Sequence, residues 1–168
     1  MSTRVQAWWR DHSGAAAAEM VLVLPFLTVV FFGIIEFGRL FHDYDVVVKG
    51  VRDAARYMGR QEANACAGGT WSPVSGTAEA ETENMATRGQ PSGGTLRLGY
   101  FANADVAVTY PCLVNGNALT GVYEGLGDIP IAVVTATVTY TFMFGDYLLP
   151  GVPSLPLVVV HTQPNVGE

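Results

Sequence analysis

Gly14 stands directly ahead of four alanines, Ala15 to Ala18, then Glu19, then an apolar run that opens at Met20. Each residue type in this junction has a chemical use. A glycine has no side chain, so it can enter a tight protease subsite and adopt an extended backbone. The alanines are strong helix formers and let a new N-terminus pack closely. A carboxylate at the edge of hydrocarbon is costly, so Glu19 calls for a partner or a function. The plainer alternative is a helix-start residue favoured by the helix dipole.

The second candidate pair is Cys66 and Cys112, both beyond the apolar run. If that side of the chain lies outside the cytoplasm, a disulfide is the default reading. It would contribute roughly 3–4 kcal/mol in the loop-entropy description. The alternative is two independent buried thiols. No CxxC or paired-histidine spacing is present, so no metal site is expected. The three histidines, His12, His42 and His161, fall in no nucleophile–base pattern. Nineteen glycines include neither a phosphate loop nor a dinucleotide fingerprint. The chain is expected to be no enzyme and to carry no cofactor.

These residues must be positioned by a long helix. Met20 to Ile35 holds no charge, and Glu19 and Glu36 bracket it. With the alanines this makes about 20 lipid-compatible residues, enough to cross a ~30 Å hydrocarbon core. A helix is the only single-segment structure that satisfies its own backbone there. A buried core helix would show a polar stripe, and this block is apolar on all faces. A removable secretory signal needs a small-x-small site, and Glu36-Phe37-Gly38-Arg39-Leu40 is a poor one. Pro25 should kink or loosen the helix locally. Glu36 and Arg39, three apart on one face, are expected to form a snorkelling pair at the membrane interface.

The continuation Leu22-Val23-Leu24-Pro25-Phe26, then Phe32-Gly33-Ile34-Ile35-Glu36-Phe37-Gly38-Arg39, together with the glycine-to-glutamate junction, resembles the TadE-like family of the tight-adherence (Tad) pilus. The resemblance covers roughly residues 13–60. It implies a minor pilin or pseudopilin acting in pilus assembly, priming or tip display for surface adhesion. It implies that a prepilin peptidase cuts the Gly14–Ala15 bond on the cytoplasmic face and makes Ala15 the mature N-terminus. By analogy with pilins, Glu19 would face a neighbouring subunit's N-terminal amine, an ion pair that is strong where both charges lack water. The implied partners are that peptidase, other pilin subunits, an inner-membrane assembly platform and membrane lipid. Two other functions fit a similar plan. One is a secretion-system pseudopilin. The other is a signal-anchored periplasmic binding or adhesin module that enters no fibre and needs no such junction.

Helical spacing continues past the membrane through Tyr44, Val47, Val48, Val51, Ala54, Ala55 and Met58. Lys49, Arg52, Arg56 and Arg60 line the opposite side, and Gly59 is a plausible stop. A glycine- and serine-rich connection follows, with a short acidic helix expected from Ala78 to Arg88, capped by Thr77 and ended by Gly89. Glu79, Glu81, Glu83 and Asn84 lack the spacing of a calcium loop and read as a solvated face. Val134, Ala136, Val138, Tyr140, Phe142 and Phe144 alternate with Thr135, Thr137, Thr139 and Thr141, the period of a half-buried strand. Val106 to Tyr110 and Leu155 to Thr162 are further strands, and Leu96 to Phe101 a weaker one.

The expected architecture is α+β and pilin-like, a long N-terminal helix on a small antiparallel sheet of three or four strands. Its divisions are a cytoplasmic leader over 1–14, a transmembrane helix over 15–41, an amphipathic continuation over 42–60 and an exported domain over 61–168. Beyond Arg60 the chain has two basic residues against nine acidic ones, a surface that repels phosphate backbones, so no nucleic-acid partner is expected. Orientation is contested by charge. Arg4 and Arg10 precede the helix while Arg39, Lys49, Arg52 and Arg56 follow it, which by simple count favours a cytoplasmic C-terminus. The cysteine pair and the junction argue for a cytoplasmic N-terminus in a single-pass inner-membrane protein.

Overall fold

The computed structural model describes residues 13–114, 127–145 and 150–166. The elements are helix α1 (Ser13–Met58), helix α2 (Ala78–Arg88), a 3-10 turn (Asn103–Asp105), and strands β1 (Val106–Thr109), β2 (Cys112–Leu113), β3 (Ile129–Thr141) and β4 (Ser154–Pro164). The long N-terminal helix with a small four-stranded antiparallel sheet is the expected α+β arrangement. Most of the expected leader, residues 1–12, lies outside the described residues.

Two compact units divide the chain. One comprises Met1–Arg39 with Thr141–Pro153, the other Leu40–Tyr140 with Ser154–Glu168. The sequence does not announce that Thr141–Pro153 groups with the apolar part of α1.

In the first unit α1 keeps its helical course through Pro25. The missing donor there is local, and long apolar helices absorb such a loss. The Thr28 hydroxyl donates to the Leu24 carbonyl at 2.8 Å, so its one polar group is satisfied within the helix. After β3, the Phe142 N–H donates to the Pro153 carbonyl at 3.1 Å and holds the base of the β3–β4 connection.

The second unit is built on the amphipathic half of α1. Val47, Val51, Ala54, Ala55 and Met58 are fully buried, whereas Lys49, Arg52, Arg56 and Arg60 are exposed, as their spacing requires. On β3, Val134, Ala136, Val138 and Tyr140 are buried while Thr137, Thr139 and Thr141 are exposed. Strand β1 pairs antiparallel with β3 through Val106↔Ala136 to Thr109↔Val133, and β2 through Cys112↔Pro130 and Leu113↔Ile129. The register is unbroken across both, so β1 and β2 are one strand interrupted at Tyr110 and Pro111. Pro111 has no N–H to give a ladder, which accounts for the gap. On the other edge β4 pairs with β3.

Gly50 and Gly89 are among the glycines that close approach or backbone sign requires. A Cβ on Gly50 would lie 2.3 Å from the Ala86 carbonyl oxygen, so α1 and α2 touch backbone to backbone there. Gly89 ends α2 with φ of 76°, the left-handed value that glycine takes without cost, and its N–H returns to the Met85 carbonyl. Thr77 does stand at the N-cap of α2, but its side chain makes no capping bond. Its hydroxyl donates instead to Glu81 at 2.9 Å.

The weak strand expected over Leu96 to Phe101 does not form. Its residues are drawn into other bonds. The Arg97 N–H donates to the Thr87 carbonyl, its guanidinium reaches Asp53 at 2.9 Å, and the Phe101 N–H closes a turn onto Leu98. The C-terminal end of α1 is tied down by Asn165. Its side-chain amide donates to the carbonyl of Met58 at 3.1 Å, which also accepts the Gln61 N–H, and to that of Gln61 at 2.9 Å just past the helix end.

Candidate functional site

The junction comes first in the chain. Gly14 is exposed, and a Cβ built on it would meet nothing within 4 Å. Packing among the described residues therefore does not call for a glycine at that position. Glu19 is exposed on the first turns of α1, and the side chain of Ala15 lies outside the described residues. From Met20 to Ile35 the helix turns large apolar side chains outward on every face, including Leu22 at 80% exposure and Phe26 at 70%. An apolar surface of this kind in water would be an association or membrane surface. By length and composition this helix can cross a membrane.

The second cluster sits at the far end of that belt, and the sequence reading placed it differently. Glu36 was expected on an exposed interface pair with Arg39, yet it is 2% exposed. Its carboxylate accepts the Met143 N–H at 3.0 and 3.2 Å and the Phe144 N–H at 2.9 Å. The physical reason is that the chain leaves the ladder after Thr141. The next amides have no strand carbonyl to meet, and a buried anion supplies one. The Phe32 and Phe144 rings stack beside it at 4.5 Å. Arg39 is half-buried in the same unit.

One turn pair further, in the other unit, Asp43 is also buried and accepts the Tyr100 hydroxyl, with His42 Nδ1 at 3.1 Å. Sequence reasoning missed both acidic sites. A signal existed, since Glu36, Asp43 and Gly50 are seven apart and share the stripe that buries Val47 and Ala54.

Cys66 and Cys112 form a disulfide with a Cα–Cα separation of 6.2 Å, across 46 residues of chain. It clips the 66–71 loop onto β2, where the Cys112 N–H also donates to the Gly69 carbonyl. Trp71 anchors the same loop through Nε1 to the Ile131 carbonyl at 2.8 Å and packs edge-on against Tyr110 at 5.1 Å.

The acidic face of α2 shapes the titration of its neighbours. Burial pushes the Tyr110 phenol up to about 12, and the charges of Glu79 and Glu83 add to it. Burial, then the hydrogen bond to Glu81, raises Tyr57. The same bond, 2.5 Å from the Tyr57 hydroxyl, and a second from Thr77 hold Glu81 below the usual carboxylate range. Burial raises Glu83, with Glu79 adding to it.

A long helix whose apolar half is long enough to cross a membrane, continuing into an amphipathic half packed on a four-stranded sheet, is a pilin-like arrangement. The family model described as TadE-like protein matches residues 14–56, so over that stretch, about a quarter of the chain, the sequence is similar to that family. The match opens on Gly14 and closes within the amphipathic half of α1. Comparison with curated proteins and with solved structures finds no match.

Proposed function

We propose that the chain is a minor pilin or pseudopilin of a Tad-type pilus, released from its leader by a prepilin peptidase that cuts between Gly14 and Ala15. The observation that carries this reading is the family match opening on Gly14, a glycine that packing among the described residues does not require. Cleavage leaves Ala15 as the new N-terminus, and α1 stays in the membrane as the anchor. The acidic Glu19, four residues in, then meets the N-terminal amine of an adjacent subunit. In hydrocarbon or a dry fibre core that contact fixes register, because either charge alone would be strongly disfavoured.

The N-terminus is cytoplasmic and the sheet domain is outside. The disulfide supports this orientation, since such bonds persist in oxidising compartments. The basic residues that argued against it, Lys49, Arg52 and Arg56, lie on the solvent face of the folded domain and not in a short loop. The subunit acts with the inner-membrane assembly platform in priming the pilus or displaying its tip.

Replacement of Gly14 by glutamate tests the reading in cells. Gly14→Glu accumulates as the longer precursor and pilus assembly fails, while Glu19→Gln is trimmed normally but assembles poorly. Normal pili from cells whose Gly14→Glu protein remains unprocessed would remove the processing step.

A further inference from the structure

We propose that the described ends of the β3–β4 connection, 142–145 and 150–153, form a second membrane contact, with Phe142, Met143, Phe144 and Val152 seated in the outer headgroup–acyl boundary and Glu36 as the residue that positions them. The inference rests on reading α1 as the membrane span.

Three observations carry it. The first is depth. Glu36 follows Ala15 by 21 residues, about 32 Å along a helix at 1.5 Å per residue, close to the ~30 Å of a hydrocarbon core. Whatever Glu36 holds is therefore held at the outer boundary. The second is surface chemistry. Met143 is 62% exposed and Val152 is 43% exposed, and they belong to the same unit as the outward Phe31, Ile34 and Phe37 of the helix belt. Between Thr141 and Val160 the only charged residue is Asp146. An apolar patch that continues a lipid-facing belt at the same level faces lipid too.

The third observation is backbone accounting. Irregular chain is tolerated near hydrocarbon only where its polar groups are satisfied within the protein. The Phe142 N–H goes to the Pro153 carbonyl, and the Met143 and Phe144 N–H groups go to the Glu36 carboxylate. Pro150 and Pro153 have no N–H to satisfy. A loop in water would not need a buried anion for these donors. The occupant of the patch is therefore lipid.

The test uses the full chain, disulfide intact, in phosphatidylcholine vesicles doped with phosphatidylcholine spin-labelled at the headgroup, the shallow acyl chain or the deep acyl chain. An environment-sensitive fluorophore is placed singly through Met143→Cys, Leu27→Cys or Val160→Cys. The Met143 probe is expected to lose most of its emission to the headgroup and shallow labels, the Leu27 probe to the deep label, and the Val160 probe to none. A quenched Leu27 probe beside a Met143 probe that is wet, or dry but unquenched by any lipid label, overturns the second contact and leaves the span intact. The dry, unquenched case means that protein covers the patch. An unquenched Leu27 probe overturns the span itself and the inference with it. Adding Glu36→Ala is expected to reduce the shallow quenching at Met143 without changing Leu27, with Glu36→Gln restoring part of it. Unchanged quenching at Met143 in Glu36→Ala overturns the positioning role.

Discussion

Removing the Glu36 carboxylate should loosen two specific amides and little else. In Glu36→Ala the Met143 and Phe144 N–H groups lose an acceptor at 3.0 and 2.9 Å. A hydrogen bond to a charged group contributes about 1.5–3 kcal/mol, which is roughly a 10- to 100-fold change in an opening equilibrium. Part of this is offset, because burying a carboxylate is itself costly. The stacked Phe32 and Phe144 rings remain and limit how far the segment can open. Hydrogen exchange on the full chain in detergent micelles reads the effect directly. Exchange at Met143 and Phe144 should accelerate by about tenfold or more. The Phe142 amide, whose acceptor is the Pro153 carbonyl, should change less, and the Val134 amide in the other unit not at all. Glu36→Gln keeps an acceptor oxygen without the charge and should fall between. Unaltered exchange at Met143 and Phe144 in Glu36→Ala would mean that the carboxylate does not hold this segment.

Other perturbations follow from particular contacts. Replacing Cys66 and Cys112 by serine opens a link across 46 residues and should cost about 4 kcal/mol in denaturant unfolding by the loop-entropy relation; a loss under 1 kcal/mol would contradict it. Gly50→Val drives a side chain into the Ala86 carbonyl and should destabilise by about 3 kcal/mol or prevent folding, whereas Gly33→Val, which meets nothing, should fold. The Tyr110 hydroxyl is buried with no hydrogen-bond partner among the described residues, so Tyr110→Phe should be neutral or stabilising by about 1 kcal/mol; a clear loss of melting temperature would refute this. Tyr110 also keeps its proton to about 12, while an unfolded tyrosine releases it near 10. Stability from this source is therefore whole below pH 10 and lost as pH rises through 12, which an ultraviolet phenolate titration alongside unfolding curves would detect.

The parts of the fold legible in the sequence are those written in local period. Sixteen uncharged residues announce the apolar helix, and Val47, Val51 and Ala54 announce which side of its continuation is buried. Four threonines alternating with Val134, Ala136, Val138 and Tyr140 announce β3 and its inner face. Gly89 marks the end of α2 because a left-handed residue is needed there. What sequence could not give depends on distant chain. Glu36 looks like a surface acid until Met143, 107 residues later, brings it an amide. Cys112 and Leu113 form too short a strand to show a period, and Pro111 hides their continuity with β1. Leu96 to Phe101 has strand-like composition, but Arg97 is drawn to Asp53 and Thr87. The junction at Gly14 is legible as chemistry, yet its meaning lies with a protein that acts on it.

The central claim is that another protein trims this chain just before its membrane helix, and intact-mass and N-terminal peptide analysis of protein purified from pilus-forming cells tests it most directly. The account predicts a mature chain that begins at Ala15. A chain that still carries Met1 or Ser2 at its start, recovered from cells bearing functional pili, would contradict it.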